Sequence, residues 1–177
     1  MGRRPGHEST PATQALLRSG VVFEVLTYDH DPRSGHYGTE AASLLGLDPG
    51  VMFKTLIVQT DLSQNHGLVV GVVPVTHQLS MKLLARAVGA KKASMADPRT
   101  VQRSTGYVLG GVSPLGQKRS LVTVIDDSAL PLERMVISGG RRGLSISLVP
   151  AALAGVLGAD FTRIRDGHVA GSHSASL

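Results

Sequence analysis

The chain has 177 residues, enough for one domain, and its 42% hydrophobic content and mean hydropathy of +0.10 suit a globular protein. It contains no cysteine, which excludes disulfides, thiolate metal sites and a cysteine nucleophile. A net charge of +5 suits a polyanionic partner, whereas three Tyr, three Phe and no Trp argue against a sheet that stacks bases.

No apolar run approaches the roughly 20 residues of a bilayer span. The opening "MGRRPGHESTPA" lacks the apolar core of a secretory signal, so the cytoplasm is the expected location. Residues 1–11 are expected to be flexible. Thr10-Pro11 then opens a short helix that Gly20 ends. "VVFEVL", Val21 to Leu26, predicts a strand, and after a polar loop Thr39 is expected to cap "TEAASLLG".

The next strand, "VMFKTLIVQ" from Val51 to Gln59, holds one residue out of place. Side chains alternate along a strand, so Lys54 shares a face with Met52, Leu56 and Val58. Lys54 either snorkels from the strand end or lines a pocket, where partial burial would set it against an anionic or carbonyl-bearing substrate. A turn leads into "LVVGVVPV", a near-continuous apolar run typical of a central strand.

Ser80 caps a helix over "MKLLARAVG", "KKASMA" predicts a short strand, and Asp97-Pro98 opens a helix ending near Gly106. "YVLGG", "LVTVID", "RMVIS" and "GLSISL" predict four more strands. Pro150 starts the last helix and "DFTRI" the last strand, with a disordered tail expected over 166–177. Strands mostly not separated by full helices indicate α+β, a single domain over 12–165 with a mixed, largely antiparallel sheet and short flanking helices.

Two loops stand out. Gly110-Gly111 is followed by Ser113 and by Lys118-Arg119, and Ser138 with Gly139-Gly140 is followed by Arg141-Arg142. Glycine pairs allow close backbone approach and exposed N–H groups that an anion can use. Tight turns with solvated arginines remain the alternative. The chain has no Walker loop, no dinucleotide fingerprint, no nucleophile elbow and no metal-ligand spacing among its histidines, so neither metal nor cofactor is expected.

"FKTLIV", "VVPVTHQLSMKLLARAVGAKKASMADP", "STGYVLGGVSPLGQKR" and "ISGGRRGLSISL" together resemble the YbaK/EbsC family of Cys-tRNA(Pro) deacylases, relatives of the editing domain of bacterial prolyl-tRNA synthetases. The resemblance runs from about Ala15 to Ile164. It implies a barrel-like sheet around a pocket, aminoacyl-tRNA as substrate, prolyl-tRNA synthetase as partner, and no role for DNA or membrane. It places the family's essential lysine on Lys54, with Thr55 beside it. Tyr28, Gly110, Gly111, Ser113, Ser138 and Gly139 fall on substrate-binding positions. Lys118, Arg119, Arg141 and Arg142 are expected to meet tRNA phosphates. Ser145 stands where many members carry a pocket aspartate, which bears on the choice of amino acid. The alternatives are a deacylase for another small residue such as alanine, and a non-catalytic regulator that docks on tRNA or a synthetase.

Overall fold

The structure is a computed structural model that describes residues 9–168. Its helices in chain order are α1 (Pro11–Ser19), α2 (Tyr37–Leu45), α3 (Met81–Val88), α4 (Pro98–Thr105) and α5 (Pro150–Leu157). Its strands are β1 (Glu24–Thr27), β2 (Phe53–Thr60), β3 (Leu68–Pro74), β4 (His77–Leu79), β5 (Ala93–Met95), β6 (Val122–Ile125), β7 (Met135–Arg141), β8 (Leu144–Leu148), β9 (Asp160–Phe161) and β10 (Arg165–His168).

The helix starts follow local chemistry. Thr10, Ser80 and Asp97 each accept an N–H of the first helical turn, and Gly20, Gly89 and Gly106 end their helices in the left-handed region. At α2 the start lies three residues earlier than a cap at Thr39 implies. His36 occupies the N-cap position without a side-chain cap, and Thr39 sits inside the first turn with its hydroxyl on the His36 carbonyl at 3.3 Å.

The strands form the expected α+β arrangement, a mixed and largely antiparallel set in three sheets. The largest has the order β5-β2-β3-β6-β9, with β3–β6 and β6–β9 parallel; β1-β8-β7 and β10-β4 are antiparallel. The first two sheets face each other across the main core. Phe53, Ile57, Val70, Val72 and Ile125 meet Met135, Ile137, Ile146 and Leu148 there, and Leu16, Val101 and Leu153 close it from the helices. A single parallel bridge, Met52 to Val136, joins these two sheets, so the strands wrap around the core without closing a hydrogen-bonded barrel.

Several local expectations change. "YVLGG" is not a strand: Tyr107 is buried with its hydroxyl on the Leu115 carbonyl at 2.7 Å, and Gly111 N–H closes a turn on Val108 O at 3.0 Å. Strand β1 starts three residues after Val21, because Val21 and Phe23 pack on the core without a ladder partner. "DFTRI" holds only the short β9. Beyond it the Asp126 carboxylate accepts the N–H groups of Ile164 and Arg165, both at 2.9 Å, and launches β10 alongside β4. The disordered tail expected from 166 is therefore corrected for 166–168, and 169–177 lie outside the described residues. At the other end Thr10 is already fixed, its hydroxyl on the Gly139 carbonyl at 2.5 Å, while residues 1–8 lie outside the described residues.

Candidate functional site

A cavity of about 420 Å³ opens where β2 passes the start of α2 and the β7–β8 pair. Lys54, Thr55 and Leu56 of β2 line it with Tyr28, Ser138, Ser145, Arg141 and Gly110, and the 35–39 segment forms the outer wall. Alternation along β2 sends Phe53 and Ile57 into the main core and Lys54 and Leu56 to the other face.

The Lys54 side chain is partly buried, and its ammonium makes no hydrogen bond or ion pair among the described residues. Burial alone holds its ammonium below the ordinary lysine pKa. Beside it the Thr55 hydroxyl is buried with no partner. Tyr28 is pushed up by burial, so its phenol stays protonated and can donate. Ser138 and Ser145 face each other across β7 and β8, and Ser145 also lies opposite Leu26 of β1. The Ser138 hydroxyl accepts Gly140 N–H at 3.3 Å, and of the histidines only His36 lines the cavity, its backbone N–H on the Ser34 hydroxyl at 3.4 Å. An uncompensated cation, an open hydroxyl and a phenol are suited to a substrate that brings its own charge and carbonyl oxygens.

The outer wall depends on Tyr37 and Glu40, which the sequence did not single out, together with Arg142 and Gly110. Arg142, expected on tRNA phosphate, turns inward: its Nη2 donates to the Tyr37 hydroxyl at 2.8 Å and to the Leu109 carbonyl at 2.9 Å, with its Cζ 4.4 Å from the Tyr37 ring centroid. This clasp ties α2 to the 108–111 turn. Gly110 has φ +87°, and a Cβ there would stand 2.5 Å from Arg142 Nε, so the clasp leaves room only for glycine. Glu40, held below the usual carboxylate range chiefly by the Asp31 N–H, accepts that N–H at 2.8 Å and lies 3.3 Å from His30 Nδ1. These contacts anchor the loop after Tyr28 onto α2. Nothing before folding marks Tyr37 as a wall residue, since its role follows from where α2 begins.

Other expected site residues are placed elsewhere. Ser113 is fully buried, its hydroxyl accepting Leu115 N–H at 3.3 Å, and it does not line the cavity. Gly139 faces α1 through its carbonyl, and Gly111 packs on the Arg141 backbone, its N–H already engaged in the turn. Of the glycine pair expected to offer N–H groups to an anion, Gly110 alone keeps an N–H with no partner among the described residues. Lys118 and Arg119 are exposed but lie at the end of α4, where their N–H groups bond the Thr105 and Ser104 carbonyls, each at 3.1 Å. The described residues hold no cluster of His, Asp or Glu fit for a metal, and no helix long and apolar enough to cross a membrane.

The fold agrees with the comparisons. The model of the aminoacyl-tRNA editing domain matches residues 35–156, and the chain belongs to this family. It is 30% identical over 165 residues to EbsC of Enterococcus faecalis, a proposed Cys-tRNA(Pro)/Cys-tRNA(Cys) deacylase, covering 93% of this chain and 98% of that one. Among solved structures, a proposed trans-editing enzyme for prolyl-tRNA synthetase superposes with a TM-score of 0.79 at 23% identity, covering 94% of this chain and 100% of that one. The hypothetical protein APE2540 superposes at 0.75 with 26% identity, covering 89% and 100%. The first of these two likenesses speaks for the fold alone.

Proposed function

We propose that this protein is a trans-editing deacylase that removes cysteine from mischarged Cys-tRNA(Pro). The observation that carries the reading is Lys54: a partly buried ammonium with no counter-charge, lining a cavity in a chain of the editing family. An unpaired buried cation is unfavourable by itself and gains from an anionic or polarised ligand. The ester carbonyl and the terminal phosphate of an aminoacyl-tRNA both offer one.

The cavity supplies no activated serine–histidine pair and the chain has no cysteine, so the substrate is assigned the nucleophile. The cysteine sulfur attacks its own carbonyl carbon, forming a C–S bond. The bond to the ribose oxygen then breaks, that oxygen takes the proton lost by the thiol, and a cyclic thiolactone leaves. Holding sulfur and carbonyl in a reactive geometry lowers the barrier by about 7–11 kcal/mol. Lys54 and Gly110 N–H stabilise the developing oxyanion, while Tyr28, Thr55, Ser138 and Ser145 orient the aminoacyl group. Prolyl-tRNA synthetase is the proposed partner that delivers the mischarged tRNA.

Purified protein incubated with Cys-, Ser- and Ala-tRNA(Pro) tests this. Fast loss of cysteine alone, with thiolactone detected by mass spectrometry at early times, is the expected result. Equal rates for all three without thiolactone exclude self-attack. No turnover of any of them returns the protein to a non-catalytic role on tRNA or a synthetase.

A further inference from the structure

A second concave surface lies apart from the Lys54 cavity. It is a shallow groove of about 570 Å³ between α3 and the turn into β5, and Lys82, Arg86, Lys91 and Lys92 line it. Lys82 and Arg86 are four residues apart on α3 and so share one helix face. All four side chains are exposed, and none forms a salt bridge among the described residues. No acidic residue lines the groove, whose remaining walls are Met81 and three alanines. The turn carrying Lys91 and Lys92 is set in place by Asp61, whose Oδ1 accepts both backbone N–H groups, at 2.9 and 3.2 Å.

The groove's position relates it to the cavity. Helix α3 packs on the face of the large sheet that carries Lys54: Leu84 clusters with Val58, Val69 and Val73, and Val73 is the β3 partner of Lys54. Leu56 both lines the Lys54 cavity and packs against this cluster. From Lys54 to Val58 is about 13 Å of strand, and Ala93, on the groove wall, pairs with Thr60 just beyond. Cavity and groove are successive stations along one sheet face.

We infer that the α3–β5 groove is a second RNA contact, holding phosphates near the acceptor end of the tRNA whose 3′ terminus enters the Lys54 cavity. The inference rests on the aminoacyl-tRNA reading above. Four cations on a floor of small side chains match a polyanion, whereas a protein partner of this site would be expected to need an aromatic or large apolar anchor that the groove does not offer.

Labelled deacylated tRNA titrated against the full chain across a salt series tests the groove without requiring catalysis. Each phosphate contact contributes roughly 0.7–0.9 to the slope of log affinity against log salt. Lys91→Ala/Lys92→Ala and Lys82→Ala/Arg86→Ala should each lower that slope by about 1.4–1.8 and weaken low-salt binding at least about fivefold. Lys91→Arg/Lys92→Arg should keep the wild-type slope, and thermal melts confirm folding for each variant. Unchanged slopes in both pairs overturn the inference. Wild-type tRNA binding with lost association to prolyl-tRNA synthetase also overturns it and makes the groove a protein surface. Deacylation that persists while the slopes fail to change sinks the groove alone; altered slopes without any deacylation sink the activity alone.

Discussion

If Lys54 acts as proposed, replacing it should separate catalysis from stability, because its ammonium has no partner to orphan among the described residues. No ion pair or hydrogen bond is lost among the described residues, and the charge is already disfavoured by burial. Removing one preorganised charge stabiliser costs about 100- to 1000-fold in rate, roughly 2.7–4 kcal/mol. Lys54→Ala should therefore lower Cys-tRNA(Pro) deacylation at least about 100-fold while melting within about 3 °C of wild type, since 1 kcal/mol moves a domain of this size by about 2–4 °C. Lys54→Met, which keeps the apolar length, should be equally slow and at least as stable. The pH dependence has a defined sign. The folded pKa lies below the ordinary lysine value of 10.5, so the charged form weighs against the fold at neutral pH, and that penalty fades as pH rises through the folded value. The stability advantage of Lys54→Met should be largest near neutrality and shrink towards pH 10.5, and wild-type activity should decline on an alkaline limb centred below it. Quenched deacylation assays and melts over the same pH series measure both. A folded Lys54→Ala protein with wild-type turnover refutes the assignment.

Ser145→Asp should raise Cys-tRNA(Pro) turnover by giving the substrate's ammonium a carboxylate, with tRNA affinity nearly unchanged; a fall in turnover means the cavity is built around serine. Arg142→Lys should slow deacylation about tenfold or more, since lysine cannot bond Tyr37 and Leu109 together while stacking on the ring, yet leave the salt slope of tRNA binding as it was. A flattened slope would restore Arg142 to a phosphate contact. Asp126→Asn should destabilise the fold by about 3 kcal/mol, because the fully buried carboxylate binds the Ile164 and Arg165 N–H groups and the Arg165 guanidinium. Burial opposes ionisation of Asp126, but hydrogen bonds from Ser128, Ile164 and Arg165 outweigh it and hold its pKa below 3.8. Its contribution to stability is present above the unfolded pKa and is lost as pH falls through the folded value. Acid melts of wild type and Asp126→Asn should therefore converge.

Features set by neighbouring residues were legible in the sequence. The caps Thr10, Ser80 and Asp97, the closing glycines, and the apolar run of β3 depend on contacts a few residues apart, and they stand where the pattern put them. Lys54 was legible too, because one ammonium in an alternating apolar strand has few places to go. What needed the tertiary structure were the partners of groups with several local options. Gly111 N–H closes a turn rather than facing substrate, and Arg142 reaches Tyr37 across 105 positions of chain. Strand β10 exists because Asp126, 38 residues upstream of Ile164, collects its first N–H groups. Hydrogen bonds and packing between distant segments leave no periodic trace in a single chain. Whether an arginine meets solvent, phosphate or a tyrosine was decided only once the segments that surround it had come together.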